Sequence, residues 1–556
     1  MLVSTAALLL QLTAPAASQD ARLLRDARTA QVRFEATRRM HLPRDWSGAF
    51  SSSGRCDARI GRYCYWYDST ESPALPEPTE IAVARMKLIA FLDSAAARRP
   101  EDGWVAGQRT RYLIEARRIE DAASAARECR AERWWCAALE GLALHIAERY
   151  SDADSVYARA LREMSEAQRC QWLDIRLLVS EALSRELDRA DCAQRAQFAD
   201  RLWTLSQPLW STRGNDLRTE HFARLTMAAI LPRSANPHGM SWGDDSRELL
   251  LRYGWAEWFT RHESGYSAFA LPTITGHDRE PSYAFFPDLQ SLPVMPRVTA
   301  NDWNLRNPIA RSRYAPRHIK SVTPLRHVLA RFPRGDSMLV AVAFRVEDTA
   351  LARDSTTAYL ASYRRSRIQL AEAQERGISG ISMMLPNDTT IVSIEVRGAA
   401  TKRAARARYT IGPLPRGGAW SLSELLLFDP TKVASADDLN VVLSQTFIED
   451  RISASQPLGV YWELASPRTV EPVWINLTVE RIHVGLARRL ATRLHLAREL
   501  APVRLRWQFI AQQPRRPHSV SLRLPSTARG RYRVVLTVEP AAGTPLSASR
   551  EIEVER

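Results

Sequence analysis

Between Glu80 and about His262 the apolar side chains recur every three to four residues, whereas after Ser337 they alternate every second residue. These two periods demand different architectures. A spacing near 3.6 puts the apolar side chains on one stripe of a helix, and a spacing of two puts them on one face of a strand. At 556 residues the chain is also too long for a single hydrophobic core, so two or three domains are expected. We therefore read a multidomain chain, α-helical first and β-rich second.

The helical pattern predicts segments near 21–40, 80–98, 103–117, 119–129, 134–148, 151–164, 173–188, 191–206, 215–231 and 244–261. Short polar turns separate them, which predicts antiparallel helix pairs. Strands are expected at Met338–Val346, Thr357–Tyr363, Thr390–Val396, Arg406–Ile411, Gly459–Leu464, Val473–Val479, Val503–Ile510, Val520–Leu524, Tyr532–Val538 and Glu551–Val554, the pattern of one or two β-sandwiches. Helix-forming stretches at Ile368–Arg376 and Val484–Leu500 interrupt them. From Leu271 to Pro333 nine prolines break both periods, and Tyr283, Phe285, Phe286 and Trp303 lie among them. This stretch reads as an extended connector along a surface, because proline removes a backbone donor from helices and central strands. The domain reading is thus residues 1–18 as a signal peptide, 19–79 as a helix and cysteine-bracketed loop, 80–262 helical, 263–333 connector, and 334–556 β-rich.

The apolar residues 2–18 end in Ala16-Ala17-Ser18, the small-residue pattern of a signal-peptidase site. An exported chain, periplasmic or extracellular, follows, with an uncleaved N-terminal anchor as the alternative. No later stretch is long and apolar enough for a transmembrane helix. All six cysteines, Cys56, Cys64, Cys129, Cys136, Cys170 and Cys192, fall in the first 192 residues, an even number suited to an oxidising compartment. Neighbour pairing is the preferred one of fifteen connectivities. On one continuous helix Cys129 and Cys136 would stand about 10 Å apart along the axis, too far to bond. A turn is therefore expected at Arg130–Arg133. The eight-, seven- and 22-residue spacings do not match zinc motifs, so no metal is expected.

The net charge is +15, but only four of the 77 basic residues are lysine (Lys87, Lys320, Lys402, Lys432) and the arginines are spread along the chain. No basic stripe interleaved with aromatics forms, so no nucleic-acid partner is expected.

Gly141, Ala153, Tyr157 and Ala160 occupy the small, small, aromatic and small positions that give this stretch its resemblance to a tetratricopeptide repeat. Ala137, Leu144 and Glu148 depart from that family's Trp, Tyr and Gly. One repeat length of 34 residues upstream, Gly107, Ala123 and Ala126 suggest a degenerate neighbour. The resemblance implies a tetratricopeptide-like α-α solenoid that holds an unidentified protein partner or a neighbouring domain. Arg252-Tyr253-Gly254-Trp255 resembles a short element of exported bacterial GWxTD-type proteins, within residues 244–258. The final strand pair around Gly530–Val538 resembles immunoglobulin- or fibronectin-like modules.

The segment from Asn236 to Glu248 is the densest in catalytically useful side chains: His238, Asp244, Asp245 and Glu248 could supply the base and acid of a hydrolase or carbohydrate-active protein. The same residues admit a structural reading, with Asp245 and Glu248 as a helix capping box after turns at Gly239 and Gly243. The aromatic run Tyr63–Tyr67 is either a stacking surface for a ligand or a small core. HExxH, GxSxG, Walker A, GxGxxG and CxxCH motifs are absent, so no cofactor and no catalytic residue are assigned. Arg334-Gly335-Asp336 and the sequon Asn476-Leu477-Thr478 read as chance matches. The sequence thus points to an exported, non-enzymatic scaffold, with the hydrolase as its alternative.

Overall fold

The computed structural model describes residues 3–44, 56–67, 74–262, 273–287, 299–364, 367–374, 380–415, 420–433, 435–448, 451–466, 470–482, 502–511, 515–525, 529–541 and 543–555; of residues 3–18 it describes the backbone alone. The chain divides into two units. The first comprises Met1–Pro293 with Asn301–Lys320, and the second Val294–Ala300 with Ser321–Arg556. The proposed leader, residues 1–18, and the helix expected at 484–500 lie outside what can be described of side chains or backbone respectively.

The first unit contains helices α1 (Val3–His41), α2 (Thr79–Arg98), α3 (Gly103–Glu115), α4 (Ile119–Glu128), α5 (Arg133–Ile146), α6 (Tyr150–Glu163), α7 (Glu166–Trp172), α8 (Glu181–Arg189), α9 (Cys192–Ser206), α10 (Asp216–Ile230) and α11 (Asp244–Tyr253). A hairpin of β1 (Ala58–Ile60) and β2 (Tyr63–Tyr65) precedes α2, and another of β3 (Trp258–His262) and β4 (Thr273–His277) follows α11. No described helix is long and apolar enough to cross a membrane.

Two successive helix pairs, α3–α4 and α5–α6, are built alike, and their true period is 31 residues rather than the 34 of the expected repeat. Arg117 and Glu148, 31 apart, both take φ 61° at the turn. Arg118 N donates to Leu113 O and Arg149 N to Leu144 O; Arg118 Nε then holds Asp121, and Arg149 Nε holds Asp152. Small residues hold the pairs close. Ala122, Ala126, Ala138, Ala153 and Ala160 are buried, and Trp135 Nε1 reaches back to Gly103 O.

The disulfides join Cys56 to Cys64, Cys129 to Cys136 and Cys170 to Cys192. Helix α4 ends at Glu128 and α5 begins at Arg133, so a turn brings the Cys129 and Cys136 Cα atoms to 5.6 Å.

Three segments of this unit depart from expectation. The helix expected over 173–188 is broken from Leu173 to Ser180, where Asp174 accepts from Arg176 N and its guanidinium and Ser180 caps α8. Such side-chain bonds compete with a continuous helix. The segment expected as helix to residue 261 stops at Tyr253, because Gly254 takes φ 106° and the chain continues into β3. The connector's aromatics are not exposed: Tyr283, Phe285 and Trp303 are buried, and Tyr283 bridges to Tyr314 through reciprocal backbone bonds.

The second unit holds β5 (Ser321–Pro324), β6 (Arg326–Arg334), β7 (Ser337–Arg345), α12 (Thr349–Ala352), β8 (Thr356–Arg364), β9 (Arg367–Gln374), β10 (Gly380–Pro386), β11 (Thr390–Gly398) and β12 (Arg403–Ile411). It continues with β13 (Ser421–Leu422), β14 (Leu426–Phe428), α13 (Leu439–Ser444), β15 (Arg451–Ser453), β16 (Leu458–Ala465), β17 (Glu471–Arg481), β18 (Val503–Ala511), β19 (Arg515–Leu522), β20 (Gly530–Pro540) and β21 (Leu546–Glu555). They form two sandwiches. In the first, sheet β10-β7-β6 faces sheet β5-β12-β11-β8-β9 across Met338, Val340, Leu360, Met383 and Ile394. In the second, β16 with β13 and β14 on one edge and β19 on the other faces sheet β15-β21-β20-β17-β18, across Val460, Trp462, Ile475, Leu477 and Leu536.

Strand β7 is apolar on both faces, and both are used. Val340 and Val342 enter the first sandwich core, while Ala341 and Ala343 join Phe332, Phe428, Leu443 and Tyr461 in a cluster between the sandwiches. A strand buried on both sides reads as a continuous apolar run. Arg326–Pro333, expected in the connector, falls in edge strand β6, whose Pro333 sits where a missing donor disturbs one side only. Of Ile368–Arg376, expected as a helix, the described part to Gln374 pairs with β8 in β9. Cross-strand pairing overrides local propensity there.

Candidate functional site

Within the first unit, α1, α2, α3, α5 and α10 enclose a cavity of about 570 Å³. Its apolar wall comes from the inward stripe of each helix: Ile81 of α2, Ile114 of α3, Leu142 of α5, and Ala223 and Met227 of α10. The segment after α11 closes it with Trp255, Trp258 and Phe259. Leu75 and Met86, both exposed large hydrophobics, stand at its rim.

Trp255 reaches the wall because of how α11 ends. The Arg224 guanidinium donates to the carbonyls of Leu251 and Arg252 and of Arg313, satisfying acceptors that a helix C-terminus leaves open. Gly254 passes over that guanidinium at φ 106°, a conformation that favours glycine. The chain then extends, and the Trp255 ring lies 5.4 Å from the guanidinium carbon of Arg111. The Gly254-Trp255 element singled out in the sequence therefore forms part of the cavity wall.

The charged wall residues are organised as arginine–carboxylate pairs. Arg111 donates through Nη2 to Glu35 Oε1 at 2.8 Å and through Nε to Glu115 Oε1 at 2.9 Å, and Tyr112 Oη also donates to Glu35. Arg38 Nη2 bonds Glu115 Oε2, and Arg85 grips Glu77 with both terminal nitrogens. Glu220 lies between Arg224, at 2.6 Å, and His145, at 2.7 Å, and Arg317 meets Glu257 at 2.7 Å. Burial alone would push the Glu115 carboxyl up, but Arg38, Arg111 and Arg85 reverse this and hold it at about 2. Glu220 is likewise buried, yet Arg224 and His145 keep it well below the usual carboxylate range. Carboxylates held ionised in this way are acceptors rather than proton donors.

Of the residues of the alternative hydrolytic site, His238, Asp245 and Glu248 are committed elsewhere. The half-buried His238 ring contacts Tyr63 and Phe259 edge-on and approaches Ile274 O through Nδ1, at 3.2 Å; desolvation pushes its pKa down. Asp245 accepts from Arg62 Nε at 2.6 Å and from Ser246 N, and the Arg62 hydrogen bond lowers its pKa strongly. Glu248 pairs with Arg252, one turn on, and with Arg311. Asp244 opens α11 behind Gly243, which occupies the cap position without a side-chain bond. The expected capping box is thus replaced, because Arg62 takes the Asp245 carboxylate.

Within Tyr63–Tyr67, Tyr65 and Tyr67 contribute to a small core, Tyr65 stacking on Tyr253 with centroids 3.7 Å apart beside Ile60, whereas Trp66 is exposed. Arg334-Gly335-Asp336 forms the β6–β7 hairpin, where Gly335 has φ 68° and Arg334 pairs with Glu463. Leu477 of the sequon is buried in β17. No group of side chains suited to a metal ion occurs among the described residues. Sequence reasoning missed the cavity, whose arginines and carboxylates come from four helices and the segments around Glu77, Glu257 and Arg317 and carry no local motif.

No family model matches this chain, and no curated protein matches it. Among solved structures, the three fibronectin domains FN1–FN3 of chicken CNTN1 align at 12% identity over 44% of this chain and 70% of that one, with a TM-score of 0.15. Red sea bream transglutaminase aligns at 10% identity over 42% of this chain and 31% of that one, also with a TM-score of 0.15. At that score neither supports an argument about this chain, and its two sandwiches rest on their own strand pairing.

Proposed function

We propose that this chain is an exported, non-enzymatic scaffold whose helical unit, read as a tetratricopeptide-like module, holds a partner, and whose sandwiches are immunoglobulin- or fibronectin-like spacers. The carrying observation is the cavity wall: each carboxylate that lines it, Glu77, Glu115, Glu220 and Glu257, is matched by an arginine. General acid–base chemistry needs a group poised to exchange protons near the working pH. A wall of paired charges around apolar surface instead supports recognition. The exposed apolar rim at Leu75 and Met86 supports engagement of another molecule. The three disulfides indicate an oxidising environment, and the periplasm or the extracellular space is the compartment proposed.

The test places a photo-reactive side chain at Leu75 or Met86 in the exported protein, with Ile309, 85% exposed, as the control position. Discrete protein adducts from both rim positions and none from Ile309 support the scaffold. Identical adduct patterns at all three positions, or none at the rim, would overturn it.

A further inference from the structure

Three buried nitrogens of cavity-lining arginines lack a hydrogen-bond partner; Arg38 Nε and Arg85 Nε still stand 3.6 and 3.8 Å from the Glu35 and Glu115 carboxylates, which leaves Arg111 Nη1. Arg111 is fully buried; its Nε and Nη2 are held by Glu115 and Glu35, while its Nη1 has no hydrogen-bond partner. A buried charged donor without an acceptor is costly, so an acceptor delivered by a ligand gains more there than at the surface. Beyond the paired charges of the wall, the lining is hydrocarbon and aromatic: Ile114, Leu142, Met227, Trp255 and Phe259. Most of these side chains stand on helices, whose backbone groups bond internally. The helical wall therefore offers no ladder to peptide amides, which would lose water without replacement.

We propose that this cavity binds a linear hydrocarbon carboxylate, with its acid group on Arg111 Nη1 and its chain along the apolar wall. The volume of about 570 Å³ falls within the range of ligand pockets, roughly 300–1,000 Å³. The assignment extends the binding role to a small molecule and does not depend on a protein partner at the rim. Each added methylene strengthens binding about fourfold while the chain stays inside.

Calorimetric titration of the full-length protein with octanoate, decanoate and dodecanoate, below their micellar concentrations, tests this. Saturable binding at one site is expected, tightening with chain length, with dodecanol and dodecylamine at least tenfold weaker than dodecanoate. Arg111→Gln should weaken dodecanoate at least tenfold. Because Arg111 also joins the buried ion pairs, Ala82→Trp, which narrows the cavity and leaves the arginine in place, provides a second variant and should abolish binding. The proposal is overturned if dodecanoate does not bind, if dodecanol binds as tightly, if Ala82→Trp binds unchanged, or if acetyl-trileucine binds more tightly than dodecanoate. Rim cross-linking is a separate readout, so failure here leaves the scaffold reading to its own test.

Discussion

The ring of Tyr157 lies so close over Gly141 that a Cβ at residue 141 would stand 2.8 Å from its Cε1 and Cζ atoms. Helices α5 and α6 meet at this point, and the rest of the helical core packs around it. Gly141→Ala must push the ring aside within a close-packed interior, at a cost of about 1–3 kcal/mol. Urea unfolding of the purified protein should show the loss. Tyr157→Leu in the same background should recover part of it, since neighbouring sites are not additive. Additive effects would place the strain elsewhere.

The disulfides close loops of different length, with sequence separations of 22 for Cys170–Cys192 and seven for Cys129–Cys136. Loop-closure entropy assigns them about 3.4 and about 2.4 kcal/mol respectively. Replacing each pair by serine should therefore lower the midpoint of unfolding more for the longer loop. Mass spectrometry of the protein isolated without reductant should also show all six cysteines paired before reduction. Equal losses, or free thiols, would contradict this account.

The stretch from Asn301 to Lys320 packs within the first unit through Trp303, Leu305, Tyr314 and Ile319, all buried. Arg313 N also bonds Arg252 O, and Tyr283 and Tyr314 exchange backbone bonds. A fragment ending at Lys320 should unfold cooperatively, whereas one ending at residue 298 should melt earlier and expose apolar surface. Thermal melts with a hydrophobic dye distinguish them. Limited proteolysis of the full chain should likewise spare 301–320. Rapid cleavage there would show that these contacts do not hold in solution.

Local chemistry made much of the fold legible. Helices α2 to α6 follow the apolar period, the turn between Cys129 and Cys136 follows from the reach of a disulfide, and the close approach at Gly141 follows from a small residue opposite an aromatic. What remained hidden depends on distant partners. Strand β9 has residues that suit a helix, and its pairing with β8 decides the outcome. The 31-residue period is carried by Arg117 and Glu148 in a left-handed conformation, which neither side chain advertises. The candidate site was hidden for the same reason. Arg85, Arg111, Glu115 and Glu220 look like ordinary charges in surface helices until tertiary packing brings them together around one cavity.

Asp216 opens α10 fully buried, and neither of its carboxyl oxygens finds a hydrogen-bond partner at normal geometry. Burial pushes its pKa up to about 7. Tyr314, Asp154 and His318 surround it, the last with Nδ1 3.9 Å away. The folded protein therefore holds a proton on Asp216 that the unfolded chain releases near pH 4. Between about pH 4 and pH 7 the native state binds more protons at this residue, so its contribution to stability falls as pH rises, by up to about 1.4 kcal/mol per pH unit. His221 opposes this, because burial lowers it to about 3 and its contribution grows with pH up to the ordinary histidine value. The comparison must therefore be between the wild type and Asp216→Asn, in which the histidine contribution cancels. The stability of the wild type relative to Asp216→Asn should be greatest near pH 4, decline to about pH 7 and then level off, as measured by urea unfolding across that range. A difference that stays constant with pH would mean that Asp216 is ionised in the folded protein and that its apparent isolation is relieved by solvent.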